Sequence, residues 1–214
     1  MKRIFLIFIL VLFLTPTLSF CDDNLLLEEL EPFLYTDLEV SSNEDIITYS
    51  KNIVVFDRNS KKILFEKNSN EKIPIASTTK ILTCIIALET LDFTKNPIYT
   101  ISQNAASATG STLGLKYNKT ISLQDLLYGL MLRSGNDCAI LLAEIISGDV
   151  NSFSLLMNQK AKELNLTSSN FITPHGLDQE NHYSTAYDLA ILTDYALKNE
   201  TFNKIVSTDF TNIY

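Results

Sequence analysis

Positive charge is scarce in these 214 residues: 17 Lys and Arg stand against 25 Asp and Glu, a net charge of −8. No basic run compensates, which argues against a nucleic-acid partner, because phosphate backbones are held by clustered Lys and Arg. Cysteine is rarer still. Cys21, Cys84 and Cys138 show no paired Cys or Cys/His spacing, so no metal site is expected. Cys84 and Cys138 fall in apolar stretches and read as buried free thiols, although an exported protein could join them. The two histidines, His175 and His182, share a loop with Glu180 but lack metal-ligand spacing, and read as structural or cleft-lining. The apolar run Ile4 to Leu14, eleven residues, is too short to span a bilayer.

Behind the basic start Lys2-Arg3, that run suits the core of an export signal over residues 1–21. Small residues permit cleavage after Ser19 or after Cys21; Phe20 weighs against a lipoprotein signal, which wants a small residue there. Loss of the signal takes the net charge from −8 to −10. Residues 22–49 carry nine acidic side chains and no Lys or Arg, and read as a solvated leader. Residues 50–214 form the expected domain.

Within it, Ile53 to Asp57 and Lys62 to Glu66 flank the polar turn Arg58 to Lys61 and predict a β-hairpin. A helix is expected from Ser77, as N-cap, to about Leu91-Asp92, apolar almost all round and therefore internal. Ile98 to Ile101 reads as a short extended piece, followed by loop to Thr120. Ser122 to Asp125 resembles a capping box opening an apolar helix to Leu132, and a second apolar helix runs from Cys138 to Ile146 and ends at Gly148. Residues 151–166 are amphipathic, Thr185 caps a further helix, and an alternating piece is read between Phe202 and Tyr214.

Two short patterns carry chemistry. Ser77 and Lys80 are nearly one helical turn apart at the mouth of the buried helix, so hydroxyl and amine share a face. An amine withdrawn from water loses preference for its charged form and can take the proton of a serine hydroxyl. The bland alternative is an N-cap serine with a snorkelling lysine. Spacing alone does not decide, because Ser69 and Lys72 share it in a polar loop. The second pattern, Ser134-Gly135-Asn136, lies in a tight polar turn between two apolar helices; Ser41, Ser50, Ser102 and Ser168 also precede Asn by two, but in no such turn. Ser-x-x-Lys followed by Ser-x-Asn is the set found in penicillin-binding proteins and class A β-lactamases, completed there by Lys-Thr-Gly.

With Pro174-His175-Gly176-Leu177-Asp178 and His182 to Ala190, these segments resemble a serine-type D-alanyl-D-alanine carboxypeptidase, a low-molecular-weight penicillin-binding protein, from about Ile53 to Phe210. The resemblance implies an α+β fold, a helical lobe on an antiparallel sheet, and hydrolysis of the terminal D-alanine of peptidoglycan stem peptides through a Ser77 acyl-enzyme. It implies Lys80 as general base, Ser134 as proton relay to the departing D-alanine, Asn136 as the amide that holds the peptide, and the Ser77 N–H as one oxyanion donor. It implies no cofactor, β-lactam antibiotics as inhibitors, and a location in the cell envelope. The sequence departs from the family in lacking Lys-Thr-Gly: Lys119-Thr120-Ile121 precedes Ser134 and has Ile in place of Gly. The expectation is therefore a domain incomplete in its C-terminal strands, with activity impaired by about 10²- to 10³-fold or more through loss of one oxyanion donor, unless a complementing C-terminal fragment supplies the second wall. The alternatives are a catalytically dead cell-wall-binding fragment and a serine β-lactamase, although Glu163-Leu164-Asn165 is one residue short of the deacylating Glu-x-x-Asn.

Overall fold

The computed structural model describes residues 48–177 and 179–213, so the expected signal peptide and all of the acidic leader except Thr48 and Tyr49 lie outside the described residues. The described chain is α+β, as expected. Its hairpin pairs β1 (Ile53–Phe56) with β2 (Ile63–Lys67), antiparallel, with Val55 opposite Phe65 and a bulge between Val55 and Phe56. The turn between them closes on Asp57, whose carboxylate accepts from the Asn59 N–H and the Ser60 hydroxyl. Lys61 there adopts a left-handed backbone at φ 59°.

Helix α1 (Lys80–Thr90) is the rod around which the rest packs. Leu82, Cys84, Ile85, Ile86 and Ala87 are all buried, which is what an all-round apolar helix requires. It touches α3 (Leu123–Leu132), α4 (Asn136–Ser147), α5 (Val150–Glu163), α6 (Ala186–Ala196) and α7 (Glu200–Val206). Two apolar clusters result. One joins Cys84 and Ile85 to Leu127, Leu130, Leu141 and Phe202; the other joins Leu82 and Ile86 to Phe153, Met157, Phe171 and Leu192.

The expected caps hold where they matter for register. The Ser122 hydroxyl accepts from the Asp125 N–H and the Thr185 hydroxyl from the Asp188 N–H, and Gly148, at φ 85°, ends α4. Three elements differ from expectation. Thr120–Ser122 is a strand, β4, paired antiparallel with β3 (Ile98–Thr100); three residues are too few to show alternation. Gln103–Ala106, read as loop, makes one helical turn, α2, capped by Ser102. The alternating piece after Phe202 is instead helix α7, because Asn199 caps it and Phe202 and Ile205, three apart, share its buried face.

The hairpin is tied to α6 through one carboxylate. Asp194 receives Arg58 Nε at 2.9 Å, Lys61 Nζ at 2.8 Å and Lys198 Nζ at 3.1 Å. These cations hold its carboxyl far below the usual carboxylate range. Beside this knot a groove of about 560 Å³ runs between β1 and α6, lined by Ile53, Val54, Phe56, Leu189, Ala190 and Leu197 among others. None of Ser77, Lys80 and Ser134 lines it.

Candidate active site

Ser77 is not the N-cap that its position suggests. A 3-10 turn, Ala76–Thr79, precedes α1, and its hydroxyl makes no capping bond. In that tighter turn, side chains three apart eclipse, which sets the Ser77 hydroxyl directly over Lys80. Ser77 is exposed, whereas Lys80 is 2% exposed and among the largest fully enclosed side chains.

The Lys80 amine makes three bonds. Nζ donates to Ser77 Oγ at 3.0 Å, to Ser134 Oγ at 3.3 Å and to the His175 carbonyl at 2.9 Å. The structure thus gathers two hydroxyls, separated by 57 positions in the chain, on one amine. Burial lowers the Lys80 pKa from 10.5 to about 8, partly opposed by the nearby Cys138 and Asp137.

Ser134 reaches the amine because of the turn that carries it. Helix α3 ends at Leu132 and α4 begins at Asn136, leaving Arg133, Ser134 and Gly135 to reverse the chain. Ser134 takes a left-handed backbone at φ 56°, which costs a residue with a Cβ roughly 1 kcal/mol. Gly135 admits no side chain: a Cβ there would lie 2.8 Å from both Asp137 Oδ1 and Cys138 Sγ.

Asn136 is buried, and its Nδ2 donates to the Thr109 carbonyl at 2.7 Å while its backbone N–H donates to the Ser111 carbonyl at 2.7 Å. A carbonyl acceptor fixes which end of the amide is nitrogen. Asn136 therefore holds the loop of residues 109–111 against the turn through its Nδ2 and its backbone N–H.

Several residues that shape the site carry no motif. Asp137, buried, accepts from the N–H groups of Leu113 (3.0 Å), Gly114 (2.8 Å) and Leu115 (3.0 Å) and so pins the same loop. The signal was an acid in a helix's first turn, where the dipole favours it. Gly176, at φ 82°, presses on the turn bearing Ser77 so closely that a Cβ would fall 1.8 Å from the Ala76 carbonyl oxygen. The Thr83 hydroxyl donates to the Pro174 carbonyl at 2.7 Å, and His182 bonds Thr79. His175 offers its carbonyl to Lys80, while burial and the adjacent amine lower its ring pKa to about 4.

The remaining sequence candidates are placed elsewhere. Ser69 Oγ donates to Glu66, and the Lys72 amine lies 4.7 Å from the centre of the Tyr183 ring, so that Ser-x-x-Lys pair forms no site. Lys119-Thr120-Ile121 enters β4. Glu163 bonds Lys160 at 2.9 Å. Cys84 and Cys138 are buried free thiols, raised well above the usual thiol pKa by burial. Among the described residues no group of three or more His, Cys, Asp or Glu is placed to hold a metal ion.

Residues 39–212 match the family model described as D-alanyl-D-alanine carboxypeptidase. The chain is 37% identical over 180 residues to D-alanyl-D-alanine carboxypeptidase DacF of Bacillus subtilis (strain 168), covering 83% of this chain and 46% of that protein. Among solved structures it resembles penicillin binding protein 5 from Haemophilus influenzae, at 33% identity and a TM-score of 0.71, covering 76% of this chain and 49% of that one. It also resembles D-alanyl-D-alanine carboxypeptidase from Mycobacterium tuberculosis H37Rv, at 32% identity and a TM-score of 0.72, covering 78% and 64%. The chain spans less than half the length of DacF, the curated relative named.

Proposed function

The chain belongs to the D-alanyl-D-alanine carboxypeptidase family, and on that premise we propose that it removes the terminal D-alanine of peptidoglycan stem peptides through an acyl-enzyme on Ser77. The observation that carries this is the single buried amine of Lys80 within bonding distance of both Ser77 Oγ and Ser134 Oγ.

In the step proposed, Ser77 Oγ attacks the carbonyl carbon of the penultimate residue and its proton passes to neutral Lys80. The tetrahedral adduct collapses, the C–N bond breaks, and the proton returns through Ser134 to the departing amine of D-alanine. Water then hydrolyses the ester and restores Ser77. An amine with a pKa of about 8 is neutral in roughly one molecule in ten at pH 7, against about one in three thousand for an ordinary lysine. The Oδ1 of Asn136 accepts from an N–H of the bound peptide, and the Ser77 N–H serves as one oxyanion donor. The same geometry takes β-lactams as inhibitors, since their strained amide presents an equivalent carbonyl. The apolar run behind Lys2-Arg3 supports export, with work in the cell envelope on wall peptide and hence on cell shape.

The cleft's second wall, which carries Lys-Thr-Gly in the family, is proposed to come from a complementing segment, continuous with this chain or separate from it. The hairpin's open edges support added strands, because β1 and β2 pair only with each other among the described strands.

Labelling with a fluorescent penicillin tests the proposal. Weak labelling of the 214-residue chain is expected, abolished by Ser77→Ala and raised by a segment carrying Lys-Thr-Gly, with D-alanine release following the same order. Labelling that survives Ser77→Ala, or none with the segment present, overturns it.

A further inference from the structure

The loop of residues 171–177 is fastened to the turn bearing Ser77 by the ring of His182. His182 is 4% exposed and Thr79 is fully buried. The ring's Nδ1 accepts from the Ile172 N–H at 2.9 Å and the Thr173 N–H at 3.3 Å, so Nδ1 carries no proton. The proton of the neutral ring is therefore on Nε2, which donates to Thr79 Oγ1 at 2.9 Å. Phe171 meets the ring edge-on, 5.9 Å between centroids at 89°, which fixes its plane.

From Ile172 and Thr173 the backbone leads directly to Pro174 and His175, the two carbonyls that accept from Thr83 and from the Lys80 amine. One end of the ring thus holds the strand of backbone that supplies Lys80 with its carbonyl. The other end holds the residue next to Lys80 in the turn that carries Ser77.

We infer that His182 is a positioning residue for acyl transfer: bonded at both nitrogens, it sets the His175 carbonyl against the Lys80 amine and keeps water from reaching that amine. The inference rests on the acyl-transfer reading for its meaning but not for its measurement. The two nitrogens can be separated by substitution. Asn places an amide near Nδ1 and keeps the loop contact only; Gln reaches the position of Nε2 and keeps the Thr79 contact only; Ala keeps neither. Since the loop has further ties through Thr83 and Gly176, the contact that matters is the one to Thr79.

The test is an NMR titration of the full chain labelled with carbon-13 at lysine Cε, the Lys80 signal being assigned by its loss in Lys80→Arg. In the parent, Lys80 is expected to titrate near 8. In His182→Ala and His182→Asn it is expected to rise by about one pH unit or more toward an ordinary lysine, as water reaches the amine, while His182→Gln stays with the parent. Thr79→Val removes the same bond without touching the ring and should behave as His182→Asn does. Melting temperatures are read on every variant. An unmoved Lys80 titration in folded His182→Asn or Thr79→Val overturns the inference, as does a shift in His182→Gln equal to that in His182→Asn. A parent that titrates as expected but takes no penicillin label, even when complemented, counts against the proposed function and leaves the positioning role standing.

Discussion

Replacing Lys80 by Met should convert a pH-dependent instability of the fold into a pH-independent one. The amine is lowered from 10.5 to about 8, so between those values the unfolded chain binds a proton that the folded chain does not. A depressed lysine weakens the fold fully below its folded pKa, and the penalty is released as pH rises toward the unfolded one. At about 1.4 kcal/mol per pH unit, the penalty is about 3 kcal/mol at pH 7 and falls by roughly 2.5 kcal/mol by pH 10. Met fills the same buried channel without a charge. It leaves the His175 carbonyl without its donor, a cost of about 1–3 kcal/mol that does not vary with pH. Urea unfolding of the parent and of Lys80→Met at pH 7, 8, 9 and 10 gives the difference directly, and effects of other titrating groups cancel in the subtraction. The parent should gain on the variant steadily above pH 8. Parallel stability curves across that window would refute the claim that burial has depressed this amine.

Three further outcomes follow from the packing around the site. Gly176→Ala should lose several kcal/mol, seen as a large fall in melting temperature, because the new Cβ meets the Ala76 carbonyl at 1.8 Å and the backbone sits at φ 82°. Asp137→Asn turns one acceptor oxygen toward the loop amides into a donor; a loss of about 2–4 kcal/mol is expected, with protease cleavage appearing between Ser111 and Leu115 and urea unfolding giving the magnitude. Cys84 and Cys138 should resist a disulfide reagent at pH 8 in the native protein and react at once in urea, since burial suppresses the thiolate of both.

The sequence disclosed the elements whose signals are local. The hairpin, the capped starts of α3 and α6 and the apolar rod α1 each follow from a few neighbouring residues, and so did the turn that presents Ser134. What it left hidden is non-local or too short to repeat. Strand β4 has three residues and no alternation to display. The 3-10 entry to α1 depends on Gly176, a hundred positions downstream, pressing on Ala76. Ser77, Lys80 and Ser134 were legible as chemistry because residue type and helix-end position coincide. The parts that fasten them, Thr79, Thr83, Asp137 and His182, are ordinary residue types whose roles exist only once the loops at 109–115 and 171–177 are folded over.

The knot at Asp194 gives the molecule an uneven response to its surroundings. Its three partners are half exposed or more, so added salt weakens their hold, and acid strong enough to protonate the carboxylate abolishes it. The apolar clusters around α1 rely on excluded water and respond less to either. Changing ionic strength would therefore act on the hairpin first, loosening the edge of the protein while the turn bearing Ser77, fastened by Gly176 and His182, keeps its shape.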